Sequence, residues 1–83
     1  MTGSQKETVA EITERVIEVL GGQAATARIA ECSQQTVGYW LQKKRAIPAE
    51  YVLKIEAALF ERGVPISRYQ IRPDVYGSAA ESE

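Results

Sequence analysis

The stretch that decides the fold is Gln23–Leu41, QAATARIAECSQQTVGYWL. Ala27 is small at a place where two crossing helices must approach closely. Further on, Val37, Trp40 and Leu41 recur at i, i+3 and i+4, so one side of the second segment is apolar. Between the segments Glu31-Cys32-Ser33 is a short break ending in a good N-cap residue. The pattern is helix, turn, helix, over Gln23 to Ala30 and Gln34 to Lys44. The opposite face of the second helix carries Gln34, Gln35, Gly38, Tyr39 and Gln42, with amides and a phenol but no charge. A purely solvated face normally carries charge. Amides suit a DNA major groove, where they pair with base edges.

Working outward, the first helix is expected over residues 6–20. Ser4-x-x-Glu7 and Thr8-x-x-Glu11 both fit a capping box and leave its start open by about a turn. Its stripe is Val9, Ile12, Val16, Val19 and Leu20, and Gly21-Gly22 ends it. A fourth helix follows Ile47 with Pro48 at its first position, where a missing N–H is harmless. Val52, Ile55 and Leu59 form its stripe, flanked by Leu53 and Phe60, and Gly63 stops it. Val64-Pro65-Ile66 reads as extended. Ser67 caps a short turn through Ile71, and Arg72-Pro73 blocks its extension. The expectation is an all-α domain over residues 6–76, of four main helices plus one short C-terminal helical turn. Residues 1–5 and the acidic tail 77–83 are expected to be disordered.

Composition narrows the function. The chain has 83 residues, 45% hydrophobic and 25% charged, which fits one small soluble domain. No apolar run is long enough for a bilayer and no signal peptide is visible, so a cytoplasmic location is expected by default. With no His and a single Cys, a structural zinc site and His-based catalysis are excluded, and no phosphate-cradling glycine loop is present. Neither a cofactor nor an enzymatic role is expected. The net charge of -1 hides a gradient: residues 21–76 carry eight Lys or Arg against five acids. Lys43-Lys44-Arg45 cluster just past the glutamine face. They fit phosphate contact, or simply the favourable place for cations at a helix C-terminus.

Other residues also have two readings. Trp40 shares its side with Val37 and Leu41 and reads as core. Tyr39 reads as a contact to a thymine methyl or phosphate, or as an exposed tyrosine. Cys32 lies by a helix N-terminus, where a thiol pKa can fall, but a buried, inert thiol fits the turn better. Base-reading candidates are Gln34, Gln35, Gly38, Tyr39 and Gln42, with Gly38 letting the helix lie close. Phosphate candidates are Gln23, Arg28, Ser33, Thr36, Lys43, Lys44 and Arg45.

Three segments carry a family resemblance: GGQAATARIAECSQQTVGYWL from Gly21, PAEYVLKIEAAL from Pro48 and SRYQIRPDVYG from Ser67. Together they resemble the Cro and YdaS-like regulators of prophages and lambdoid phages, over residues 15–77. The resemblance implies a lambda-repressor-like helix-turn-helix that binds operator DNA. It also implies that Gln34-Gln35 open the recognition helix and that Gln23 braces Gln34 through its amide. Two positions depart from the pattern: Glu31 stands where glycine is usual, and Ala30 where leucine is usual. A left-handed Glu31 would be strained by on the order of 1 kcal/mol, and beside Ala30 either the core is thin or Ile29 turns inward to help fill it.

One recognition helix reads only a few base pairs, so a homodimer on a palindromic operator is expected. Val64, Ile66, Tyr69, Ile71, Val75 and Tyr76 are the candidate dimer surface. The alternative is that this segment folds back and completes the monomer core. A competing function is an antitoxin or adaptor that contacts a protein partner from a prophage toxin–antitoxin module, since YdaS-like proteins are often named as such components.

Overall fold

In the computed structural model, which describes residues 8–77, Thr8 opens the first helix, α1 (Val9–Leu20). Its hydroxyl accepts the Glu11 N–H at 3.1 Å, and the Glu11 carboxylate accepts the Thr8 N–H at 2.8 Å. Of the two capping boxes in the sequence this one forms; Ser4 and Glu7 lie outside the described residues. The buried arc of α1 is Ile12, Thr13, Val16, Ile17 and Leu20. Val19 was expected inside it and is instead 38% exposed, because the arc is turned toward Ile17. Thr13 tolerates burial because its hydroxyl donates to the Val9 carbonyl at 3.0 Å.

Five more helices follow: α2 (Gln23–Ala30), α3 (Gln34–Gln42), α4 (Ala49–Glu61), α5 (Arg68–Ile71) and α6 (Pro73–Tyr76). The described residues contain no strand. α2 packs on α3 and α4, while α1 lies against α2, α3, α4 and α5. The core between them holds Val16, Ala27, Val37, Trp40, Ile47, Val52, Ile55 and Leu59. Trp40 is 2% exposed, with its ring centroid 5.5 Å from that of Tyr51, so its reading as core holds. Ala30 is fully buried, and Ile29 packs partly against the same core.

Four helices end in the same way. In each, the N–H of the residue that follows a left-handed one returns to a carbonyl in the last turn. The pairs are Gly22 to Ile17, Cys32 to Ala27, Arg45 to Trp40 and Val64 to Leu59, at 2.8–3.0 Å. The left-handed residues are Gly21 and Gly63, where glycine is at ease, but also Glu31 (φ 63°) and Lys44 (φ 54°), which are strained there. Lys44 ends α3 at Gln42, short of the expected Lys44. Pro48 caps α4 from outside, with ψ 144°, one residue before its expected place inside the helix.

The C-terminal segment corrects two expectations. Arg72-Pro73 ends α5 at Ile71 as expected, but a second short helix follows where only one helical turn was expected. Pro73 starts α6, because its fixed φ suits a first helical position. Ile66 (4% exposed) and Ile71 (0%) belong to the monomer core, Ile71 on α5, which packs on α1 and α4, so neither offers the exposed apolar side chain expected of a dimer surface. Val64 and Tyr76 pack partly against the same core, Tyr69 is half-buried, and Val75 is 49% exposed. The segment folds back and completes the monomer. Glu56 of α4 fastens it: its carboxylate accepts the Arg68 backbone N–H at 2.7 Å and the Arg68 Nε at 3.1 Å. Gly77 caps α6, its N–H donating to the Pro73 carbonyl at 2.8 Å, so the expected disordered tail does not begin there. Residues 1–7 and 78–83 lie outside the described residues.

Candidate nucleic-acid interface

The candidate surface is built on α3. Ser33 starts it: its hydroxyl accepts the Thr36 N–H at 3.1 Å and shares a 2.9 Å hydrogen bond with the Thr36 hydroxyl. Val37 and Trp40 bury one side of the helix. That anchoring turns Gln34, Gln35, Tyr39 and Gln42 to solvent together, with Gly38 half-buried among them. Ser33 and Thr36 mark the N-terminal end of this face. Arg28 is exposed on the neighbouring α2, and Lys43, Lys44 and Arg45 are exposed beyond its C-terminal end. The last three are close to one another through the left-handed turn at Lys44. Arg28, Lys43 and Lys44 enter no ion pair among the described residues.

Tyr39 and Arg45 form a unit. The Arg45 guanidinium carbon lies 5.6 Å from the Tyr39 ring centroid, and Nη1 donates to the phenol oxygen at 3.2 Å. The residues are six positions apart. Plain helical periodicity does not pair such residues, and the turn at Lys44 brings Arg45 back. Together with Thr36, Lys44 and Tyr51 they border an open groove between α3 and the start of α4.

Gln23, the first residue of α2, reaches across to α3. Its Oε1 sits 3.1 Å from where a Cβ on Gly38 would stand. No hydrogen bond joins Gln23 to Gln34 among the described residues. The amide expected to brace Gln34 therefore rests over Gly38. A Cβ at 38 would press on this amide, so the bare glycine also serves a contact within the protein.

Around the turn, Glu31 reaches Lys54 of α4 at 3.2 Å. Both side chains are largely exposed, so the pair contributes under about 1 kcal/mol. Cys32 is half-buried, and burial pushes its thiol above the ordinary value while Lys54 pulls the other way. The thiol is not activated.

The sequence of residues 13–80 matches the family model described as bacterial toxin YdaS. The chain belongs to this family. No curated protein and no solved structure matches it. Within this YdaS-family chain the Arg72-Pro73-Asp74 ending acquires a physical role that sequence reading did not give it. Arg72 Nη1 donates to the Ile47 carbonyl at 3.1 Å, and its Nε and Nη2 hold Asp74 at 2.8 and 2.6 Å. Arg72 thus ties the C-terminal turn to the loop that carries Lys43, Lys44 and Arg45. The signal was present in the sequence as an Arg and an Asp two residues apart around a proline. Its long-range partner is a backbone carbonyl, which no side-chain pattern reveals. The described residues contain no helix long and apolar enough to cross a membrane and no cluster of potential metal ligands.

Proposed function

We propose that this chain is a sequence-specific DNA-binding regulator with a lambda-repressor-like helix-turn-helix, acting as a homodimer on a palindromic operator. The observation that carries the reading is the uncharged solvent face of α3. Gln34, Gln35, Tyr39 and Gln42 lie exposed together, with exposed cations just beyond the end of the helix. In this reading α3 enters the major groove. The glutamines pair with base edges, and Gln23, Arg28, Ser33, Thr36, Lys43, Lys44 and Arg45 meet phosphates. The surface of α3 has the mix that such recognition needs: amides for bases and cations for the backbone. No catalytic role, cofactor or membrane contact enters the proposal.

The family's description as a toxin supports a second reading, in which the chain is a component of a prophage toxin–antitoxin module and acts through a protein partner. The two readings are compatible in one protein, and DNA titration separates their contributions. Gln35→Ala is expected to weaken operator binding by about 1–3 kcal/mol while leaving random-sequence DNA unaffected. Equal loss on both DNAs removes Gln35 as a base reader. A wild-type chain with no preference for any operator over random DNA leaves the protein-partner reading standing alone.

A further inference from the structure

The outer side of α4 carries a second surface, separate from the α3 face. Leu53, Ala57 and Phe60 recur at i, i+4 and i+7 and so share one stripe. Leu53 is 51% exposed and Phe60 83%, the most exposed large apolar side chain among the described residues. Beside them the link to α5 contributes Val64 and Pro65, and the whole forms an open groove of about 720 Å³. Its lining shares no residue with the groove beside Tyr39 and Arg45. Single exposed apolar residues are ordinary, but clustered ones around a groove mark an interface.

We infer that this groove is the contact between two copies of the chain. The inference rests on the operator-binding reading for its need of a second subunit, and on two observations for its place. First, the surface is self-complementary: it holds a protruding Phe60 beside an apolar depression, which a two-fold contact requires of one patch. Second, its charges cancel internally. Glu56 and Arg68 are the charged residues of the lining, and they pair with each other at 3.1 Å. A two-fold axis sets each charge near its own copy, so a patch that is already neutral avoids self-repulsion. A strongly charged partner would find nothing to pair with.

Sedimentation equilibrium on the full chain tests this, with Phe60→Asp as the disrupting variant and Val75→Asp as a control on the exposed C-terminal turn. The wild type and Val75→Asp are expected to dimerise. Phe60→Asp is expected to keep its helical circular dichroism and melting transition and to dimerise at least about thirtyfold more weakly, as the loss of a central aromatic anchor does. Ala57→Cys in a Cys32→Ser background is expected to cross-link two chains on oxidation. The inference is overturned if the wild type stays monomeric both free and on an operator. It is equally overturned if Phe60→Asp dimerises like wild type and Ala57→Cys does not cross-link. Failure of the DNA reading looks different: a dimer that Phe60→Asp breaks, yet with no preference for an operator over random DNA, leaves this surface in place. Specific binding that stays two-to-one and cooperative in Phe60→Asp does the reverse.

Discussion

The amide oxygen of Gln23 lies 3.1 Å from the point where a Cβ on Gly38 would stand, so the first residue of α2 packs over the middle of α3. A methyl group at 38 would press on the flexible end of a glutamine, which moves readily. Two effects then oppose each other. Alanine favours the helix by roughly 1 kcal/mol over glycine, while displaced Gln23 loses its fixed place beside the α3 face.

Gly38→Ala is therefore expected to leave thermal stability unchanged or slightly raised and to weaken operator binding. Part of that loss should run through Gln23. In a double-mutant cycle on the operator, Gly38→Ala with Gln23→Ala should lose less than the sum of the two single losses. Strict additivity would mean that the two residues act on DNA independently.

Lys44 offers a cleaner separation of fold from function. It is left-handed with φ 54°, at the position glycine fills in the equivalent turns at Gly21 and Gly63. Lys44→Gly is expected to stabilise the protein by up to about 1 kcal/mol by relieving that strain. The same change should weaken DNA binding and flatten its log–log salt dependence by about 0.9 per subunit, one phosphate contact. Melting curves and salt titrations on one sample check both. A variant that is more stable and binds with an unchanged slope would make Lys44 a mere cap.

For Tyr39 and Arg45 the expected order of losses is specific. Tyr39→Phe keeps the ring under the guanidinium and removes only the 3.2 Å bond to the phenol oxygen, so operator affinity should fall by less than about 1 kcal/mol. Tyr39→Ala removes both supports and should approach the loss seen in Arg45→Ala. If Tyr39→Ala is harmless while Arg45→Ala is not, the ring does not position the guanidinium.

Much of this was legible from local rules. Apolar spacing gave the four main helices, and the Ser33 cap together with Val37 and Trp40 fixed which side of α3 is free. The misses were non-local. Nothing within Ile66 or Ile71 tells whether an apolar residue after four helices meets its own core or another chain; that depends on Glu56 fastening Arg68 from a different helix. The start of α6 was missed because a proline that ends one helix is equally suited to begin the next. The packing of Gln23 over Gly38 is not legible in the sequence, since Gln23 is brought there only by the crossing of α2 and α3.

The buried C-terminal segment leads to a stability prediction. Ile71 is fully buried, so Ile71→Ala should destabilise the fold by about 2–5 kcal/mol, a large share of the roughly 5–15 kcal/mol of a typical domain. Truncation after Gly63 should abolish cooperative unfolding, as followed by helical circular dichroism on heating. A truncated chain that still melts sharply would show that α1–α4 close their core alone.

The last prediction concerns acid. Arg72 donates two hydrogen bonds to Asp74 and holds its carboxyl below the ordinary aspartate value. A carboxylate depressed in the folded state contributes stability that is fully present above its unfolded pKa of about 3.9 and is lost as the pH falls through the lower folded value. Asp74 is largely exposed, so solvent screens the pair, and the effect should be modest. Asp74→Asn is expected to lower the melting temperature at neutral pH, and the gap to wild type should close as the solution is acidified below the ordinary aspartate range. Because Arg72 also holds the Ile47 carbonyl, the same acidification should loosen the loop bearing Lys43, Lys44 and Arg45, seen as lower amide-exchange protection factors there, each taken relative to the intrinsic rate at that pH. A gap that stays constant down to the acid limit would mean that the shape of residue 74, and not its charge, secures the turn.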